Sequence, residues 1–284
     1  MKIVIKGIPS NSGALNLGTE KAPSLLRSAG LISELAKEHQ VLDLGDVVLP
    51  LDLPRHDVPP VRNWPAPRIV WEETIKQLEG TFEEEAFSII IGGGCSTFTG
   101  VFNHFYNQFG INSHIISIDH HIDMRKPSAE VCMGATAYTL WFLTEENQWF
   151  SKPKSFGKDK IFALGYEPTT LDVNYDVTGI KGMSKNELAH VNIDALIQDY
   201  FQSLESNARV LIHLDLDVIQ ESDLKSVYMP SPHGMPITML QHLLQQIVKD
   251  KRVMGIVITE FSGAYEESEA EAKKVVKLLK NMWL

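Results

Sequence analysis

A chain of 284 residues is long enough for one large α/β domain or two small ones, and its 44% hydrophobic content excludes global disorder. The formal net charge of −10 at pH 7 makes nucleic acid and anionic membrane surfaces poor partners. Its two cysteines, Cys95 and Cys132, exclude a disulfide scaffold and fit a reducing compartment.

Residues 2–6 read as a first strand, ended by Gly7-Ile8-Pro9. The N-terminal run is too short and too charged for a secretory segment, and no stretch approaches the ~18 apolar residues that span a bilayer, so the expected location is the cytoplasm. Ser10 to Pro23 reads as a Gly/Ser/Asn-rich loop, and Leu25, Leu26, Ala29, Ile32 and Leu35 form a helical stripe through Lys37. Val41 to Val47 is a strand, and residues 48–66, rich in proline, are an irregular surface excursion. A helix over Ile69 to Leu78 precedes a buried strand, Ala86 to Ile91, which runs into Gly92-Gly93-Gly94-Cys95-Ser96 and a helix over 97–109. A strand at 114–118, a loop at 124–135 and a mixed helical stretch at 136–144 follow. Strands are expected at 161–165 and 209–214, with a short one near Val177 to Ile180 and a helix over Ile193 to Leu204. After a loop from Ser222 to Pro236 come a helix at 237–248, a last strand at 253–259 ending at Glu260, and a closing helix over Glu266 to Met282. This closing helix has acids early and lysines late, as the helix dipole favours.

Strands alternating with helices predict an α/β fold, a mostly parallel sheet with helices on both faces, as one domain over residues 1–284. In that architecture ligands bind at the carboxyl ends of strands, and the polar clusters sit there. Ile118-Asp119-His120-His121-Ile122-Asp123 leaves one strand end with Asp119, His121 and Asp123 at alternating positions, so their side chains converge, while His120 and Ile122 face elsewhere. Asp215-Leu216-Asp217 repeats the arrangement at another. Four carboxylates and an imidazole in one cleft need protons, cations or metal, and that donor set suits manganese, iron or zinc.

The chain resembles the ureohydrolase family of arginases, agmatinases and formimidoylglutamases, over nearly its whole length and in order. The family motifs Gly-Gly-Asp-His-Ser, Asp-Ala-His-x-Asp, Ser-x-Asp-x-Asp and a late Glu stand here as Gly92–Ser96, Asp119–Asp123, His213–Asp217 and Glu260. The resemblance implies the three-layer α/β/α arginase-like fold and a hydrolase that cleaves a C–N bond of a small linear amidine or guanidino compound with a metal-bound hydroxide. It implies two manganese ions (Mn2+) per chain, a small-molecule substrate and a homo-oligomer. Carried over by residue, Asp119 and Asp215 bridge the ions, with Asp119 counted as catalytic. His121 and Asp217 complete one shell, and Asp123 with Cys95 serves the other. Glu260, catalytic and substrate-binding, holds the cationic end of the substrate.

Three departures stand out. Cys95 replaces the family's metal-binding His, which turns preference toward Zn2+ or Fe2+. Gly94 replaces a carboxylate, and Met133 stands where arginases and agmatinases place a proton-shuttling His. Gly92-Gly93-Gly94 and Asp123-Met124-Arg125 are similar to formimidoylglutamases instead, although the loop from Lys126 to Cys132 lacks their Ser-Gly pattern. The expected specificity loops lie around 10–18, 126–135 and 165–180. Two alternatives remain beside the hydrolase: a catalytically degenerate ureohydrolase-like protein, and a thiol-dependent hydrolase in which the helix N-terminus lowers the pKa of Cys95. A dinucleotide site at Gly92–Gly94 fails because Thr97 stands where G-x-G-x-x-G needs its last glycine. His213, two residues before Asp215, is a candidate to approach the metals, against the simpler reading of a buried structural imidazole. His104, His114 and His233, and the aromatics Trp141, Phe142 and Trp149, read as structural or surface residues.

Overall fold

The computed structural model describes residues 1–171 and 174–284. The strands are β1 (Lys2–Gly7), β2 (Gln40–Asp46), β3 (Ala86–Ile91), β4 (Ser113–Ile118), β5 (Ile161–Tyr166), β6 (Lys181–Ser184), β7 (Arg209–Asp215) and β8 (Val253–Thr259). They form one eight-stranded sheet in the order β2-β1-β3-β8-β7-β4-β5-β6, and every neighbouring pair runs parallel. The α-helices are α1 (Ala22–Ser28), α2 (Leu31–Leu35), α3 (Ala66–Gln77), α4 (Thr97–Phe109), α5 (Thr139–Thr144), α6 (Lys185–Leu188), α7 (Ile193–Gln202), α8 (Ile237–Ile247) and α9 (Ser268–Lys280). No helix among the described residues is long and apolar enough to cross a membrane.

A sheet covered on both faces needs apolar side chains on both, and the central strands supply them: β8 is buried along its whole length. Alternate residues feed two cores. Ile89 and Ile91 join Leu26 of α1, Leu31 of α2, Ile197 of α7, Leu240 of α8 and Val275 of α9. Ile90 points the other way, to Val70 of α3, Phe98 of α4 and Leu140 of α5. Helix α4 shows why it forms where it does. Phe98, Val101, Phe102 and Phe105 recur at helical spacing and are all fully buried.

Four expected elements differ from the structure. The stripe through Lys37 is two helices, because Gly30 takes a left-handed conformation (φ 96°) and breaks the run. The helix expected from Ile69 starts at Ala66, with Pro67 in its first turn where the missing N–H costs nothing. The strand expected near 177–180 is instead β6, whose sequence Lys-Gly-Met-Ser carries no apolar alternation and sits at the sheet edge. Asp172 and Val173, within the expected specificity loop 165–180, lie outside the described residues. The closing helix begins at Ser268, two residues after Glu266, where the Tyr265 N–H donates to Ser268 Oγ.

The topology positions the site. β3, β8, β7 and β4 are consecutive neighbours in mid-sheet, and they end level, with Ile91 opposite Ile258, Ile258 opposite Leu214, and Leu214 opposite Ile118. The four polar motifs follow these four strands. Neighbouring strands are ~4.8 Å apart, so motifs as far apart in sequence as Cys95 and Glu260, 165 residues, open onto one spot.

Candidate metal centre

Each acidic motif folds its first carboxylate back on its own backbone. Asp119 Oδ1 accepts the His121 N–H at 2.6 Å, and Asp215 Oδ1 accepts the Asp217 N–H at 2.8 Å. The chain turns directly after each strand, and the second acid of each motif comes round beside the first. Asp123 and Glu260 both sit in left-handed backbone (φ 53° and 65°), a conformation non-glycine residues rarely hold and which concentrates at functional sites. Surrounding bonds hold them there. The Asp123 carbonyl accepts the N–H groups of Leu140 and Trp141 in α5, and Glu260 N–H donates to the Gly93 carbonyl.

Asp119, Asp123, Asp215, Asp217 and Glu260 are all buried, at 2–6% exposure. Three donor groups form among them, each with its ligand atoms within 4.8 Å of one another: Cys95, Asp119 and Asp123; Asp119, His121 and Asp217; and Cys95, Asp215 and Glu260. Asp119 belongs to two groups and Cys95 joins two. His121 Nδ1 lies 3.1 Å from Asp217 Oδ2 and 3.9 Å from Asp119 Oδ1. The structure thus brings all seven predicted site residues to one place.

The electrostatics show how the five acids and His121 share their charge. Burial, then the Asp123 and Asp217 charges, push Asp119 well above the usual carboxylate range, and burial with Asp217 and Asp119 does the same to Asp215. Burial lifts Asp123 to about 7 and Glu260 to about 8. Burial would lower His121, but the Asp217 carboxylate, helped by Asp119 and Asp123, raises it to about 10. Without metal, the cluster therefore keeps its acids with shared protons and one imidazolium. Four buried oxygens still have no hydrogen-bond partner: Asp119 Oδ2, Asp123 Oδ2, Asp217 Oδ1 and Glu260 Oε2. Orphaned buried carboxyl oxygens of this kind are costly unless a cation meets them, so the residues fit divalent ions.

Cys95 departs from the helix-dipole expectation. It is 1% exposed, and burial together with Asp215, Glu260, Asp123 and Asp119 raises its pKa well above the ordinary thiol value. Its Sγ lies 2.7 Å from Asp215 Oδ2, donating to it, and 3.1 Å from Thr259 Oγ1. The neighbouring acids outweigh the end of α4, which removes the activated thiolate on which the thiol-hydrolase alternative rests. His213 is not among the grouped donors. It is fully buried, stacked on Phe98 with ring centroids 4.5 Å apart, and bonded to Thr259 Oγ1 at 3.1 Å and Ser117 Oγ at 3.3 Å. Burial lowers its pKa to about 3, so it is a neutral prop one hydroxyl behind Cys95. His120 turns away from the cluster, its Nε2 3.2 Å from Ser231 Oγ, and Ile122 packs into the core.

Some residues at the site carry no motif. Thr259, one residue before Glu260 and opposite Asp215 on β7, bridges Cys95 and His213. The Cys95 N–H donates to Glu260 Oε1 at 2.6 Å, so backbone supports the carboxylate. Gly94 allows this close approach, because a Cβ there would stand 3.1 Å from both Glu260 Oε1 and Thr136 Cγ2. A cleft of about 310 Å³ opens above the cluster, and each predicted specificity loop contributes to it, through Gly13, Met133 and Tyr175. The 48–66 excursion, read as mere surface, also reaches it through Arg62.

The sequence profile of the arginase family matches residues 1–284. The chain is 24% identical to the hepatic arginase of Aquarana catesbeiana over 298 aligned positions, covering 99% of this chain and 90% of that protein. Its fold is similar to Entamoeba histolytica arginase in complex with L-ornithine, with a TM-score of 0.87 at 18% identity, covering 99% and 98% of the two chains. It is also similar to Trypanosoma cruzi formiminoglutamase with Mn2+, with a TM-score of 0.78 at 18% identity, covering 99% and 91%. At such identities the solved structures speak for the fold.

Proposed function

The chain belongs to the arginase family, and from that premise we propose that residues 1–284 act as one domain that hydrolyses a C–N bond in a small linear amidine or guanidino compound, using two divalent ions. The observation that carries this reading is the set of four unpartnered, buried carboxylate oxygens. Asp119 and Asp215 would bridge the ions. His121 and Asp217 would complete one shell, and Cys95 and Asp123 the other. Two such ions would lower the pKa of a water and offset negative charge developing at the reacting carbon.

The chain's own residues do the rest. Glu260, supported by the Cys95 N–H, faces the cleft as an anionic anchor for a planar amidinium. Burial of the five acids keeps bulk water away and strengthens each charge interaction within the site. His121 Nδ1 holds a proton against Asp217 that an ion must displace, so ion affinity rises with pH. The sulfur of Cys95 favours a softer ion in its half than Mn2+, so zinc or iron beside manganese is part of the reading.

Metal content is the first test. Protein incubated with manganese and dialysed should retain two ions per chain and release urea from guanidino substrates or the corresponding amide from amidines. One ion or none, rising to two in Cys95→His, with no turnover by the unaltered chain, would favour the degenerate family member.

A further inference from the structure

The cleft above the cluster is acidic at its floor and carries a single guanidinium. Asp123, Asp215, Asp217 and Glu260 line it, and Arg62 is the one lysine or arginine among the described lining residues. We propose that Arg62 selects substrates whose end remote from the amidine is a carboxylate, an inference that rests on the hydrolase reading above and adds the chemistry of the substrate's far end.

Arg62 is firmly placed. Its N–H donates to the Met133 carbonyl at 2.8 Å, and Val61 forms a bridge with Met133, so the excursion is tied to the loop that walls the cleft. The Arg62 side chain is only 18% exposed. It pairs through Nε with Asp57, whose side chain is 65% exposed, and among the described residues its two terminal nitrogens have no partner. The Asp57 pair is solvent-screened and worth little, but it fixes the orientation of the guanidinium. The free edge matches the two oxygens of a carboxylate, a bidentate geometry that a lysine would not supply. Arg125 is a second guanidinium near Tyr138. Both guanidiniums act electrostatically on the Tyr138 hydroxyl, which itself donates to the Pro60 carbonyl at 3.2 Å.

The cleft is therefore bipolar, with Glu260 for a cationic amidine at the floor and Arg62 for an anion. A substrate with a second cation at its far end would meet Arg62 as a like charge. The acidity of the whole chain pulls the other way, and any bound ions are common to all variants, so an anion preference that Arg62 variants lose isolates Arg62.

Two compounds of similar length separate these cases: 4-guanidinobutyrate, which ends in a carboxylate, and agmatine, which ends in an ammonium. Calorimetric titration of the manganese-loaded protein should show 4-guanidinobutyrate bound at least about tenfold more tightly. Arg62→Gln should erase that preference, Arg62→Glu should invert it, and Arg62→Lys should keep part of it, with circular dichroism confirming the fold of each variant. Equal affinities in the unaltered protein, binding of neither compound, or a preference that survives both Arg62→Gln and Arg62→Glu overturns the assignment. Urea release from the same compounds scores the hydrolase reading separately. An Arg62-dependent preference without urea would count against hydrolysis of guanidino compounds and leave this inference standing, and urea without the preference would do the reverse.

Discussion

Cys95 sits just before a helix, where a thiol is ordinarily activated, and yet its surroundings hold it protonated. Burial and the acids Asp215, Glu260, Asp123 and Asp119 raise its pKa well above the ordinary value, and its proton lies toward Asp215 Oδ2, 2.7 Å away. The sequence shows a cysteine in the place of a metal-binding imidazole but not which effect dominates, because the opposing carboxylates come from strands far along the chain. Cys132 is the contrasting case, a half-buried thiol lining the same cleft. In metal-free protein at pH 7.5, iodoacetamide should therefore modify Cys132 and spare Cys95, with both modified after unfolding, as peptide mass mapping would reveal. Faster modification of Cys95 than of Cys132 would restore the thiol nucleophile, because alkylation reports the thiolate.

At the scale of elements, local patterns carry most of the fold. β8 over Val253–Thr259 and α4 over Thr97–Phe109 match their sequence patterns residue for residue, because an apolar run between polar ends and a 3.6-residue stripe are local signals. The acidic motifs and their clustering are legible for the same reason, being short polar runs at strand ends. Edge strand β6 and the break at Gly30 are not, since the first has no apolar alternation and the second needs a backbone angle. Arg62 is not legible because only the bridge between Val61 and Met133 ties its segment to the cleft, and Thr259 is not because only the sheet order sets it beside Cys95 and His213. The start of β4 carries one consequence for stability. His114 is partly buried there, and burial, then Lys160, lowers its pKa to about 4 from the ordinary 6.5. The unfolded chain takes up a proton near pH 6.5 that the folded one refuses until about 4, so the folded state loses stability as pH falls across that window. Chemical denaturation at pH 7 and pH 5 should show a smaller acid-induced loss in His114→Gln than in the unaltered chain. Equal losses would mean that His114 does not titrate differently in the two states.

For the whole molecule, the site and the fold compete until ions arrive. Ligand atoms within 4.8 Å of one another would, if anionic, repel by roughly 3 to 4 kcal/mol per pair at an effective dielectric of 20. The metal-free chain avoids this by keeping protons on buried acids, and the strained backbone at Asp123 and Glu260 adds a further cost. Divalent ions held by the folded cluster and not by the dispersed ligands of the unfolded chain would stabilise by about 2.7 kcal/mol for each site filled at a hundredfold excess over its Kd. Thermal unfolding should move up by several degrees with manganese and return on chelation. Asp123→Asn separates the two terms. Asparagine tolerates the left-handed backbone at 123 and removes one charge from the crowd, so the metal-free variant should melt at or above the unaltered chain. With manganese present it should melt below, because an anionic ligand has gone. A shift of the same sign in both conditions would show that Asp123 acts on the fold alone, and the account of five acids held together for the sake of ions would lose its support.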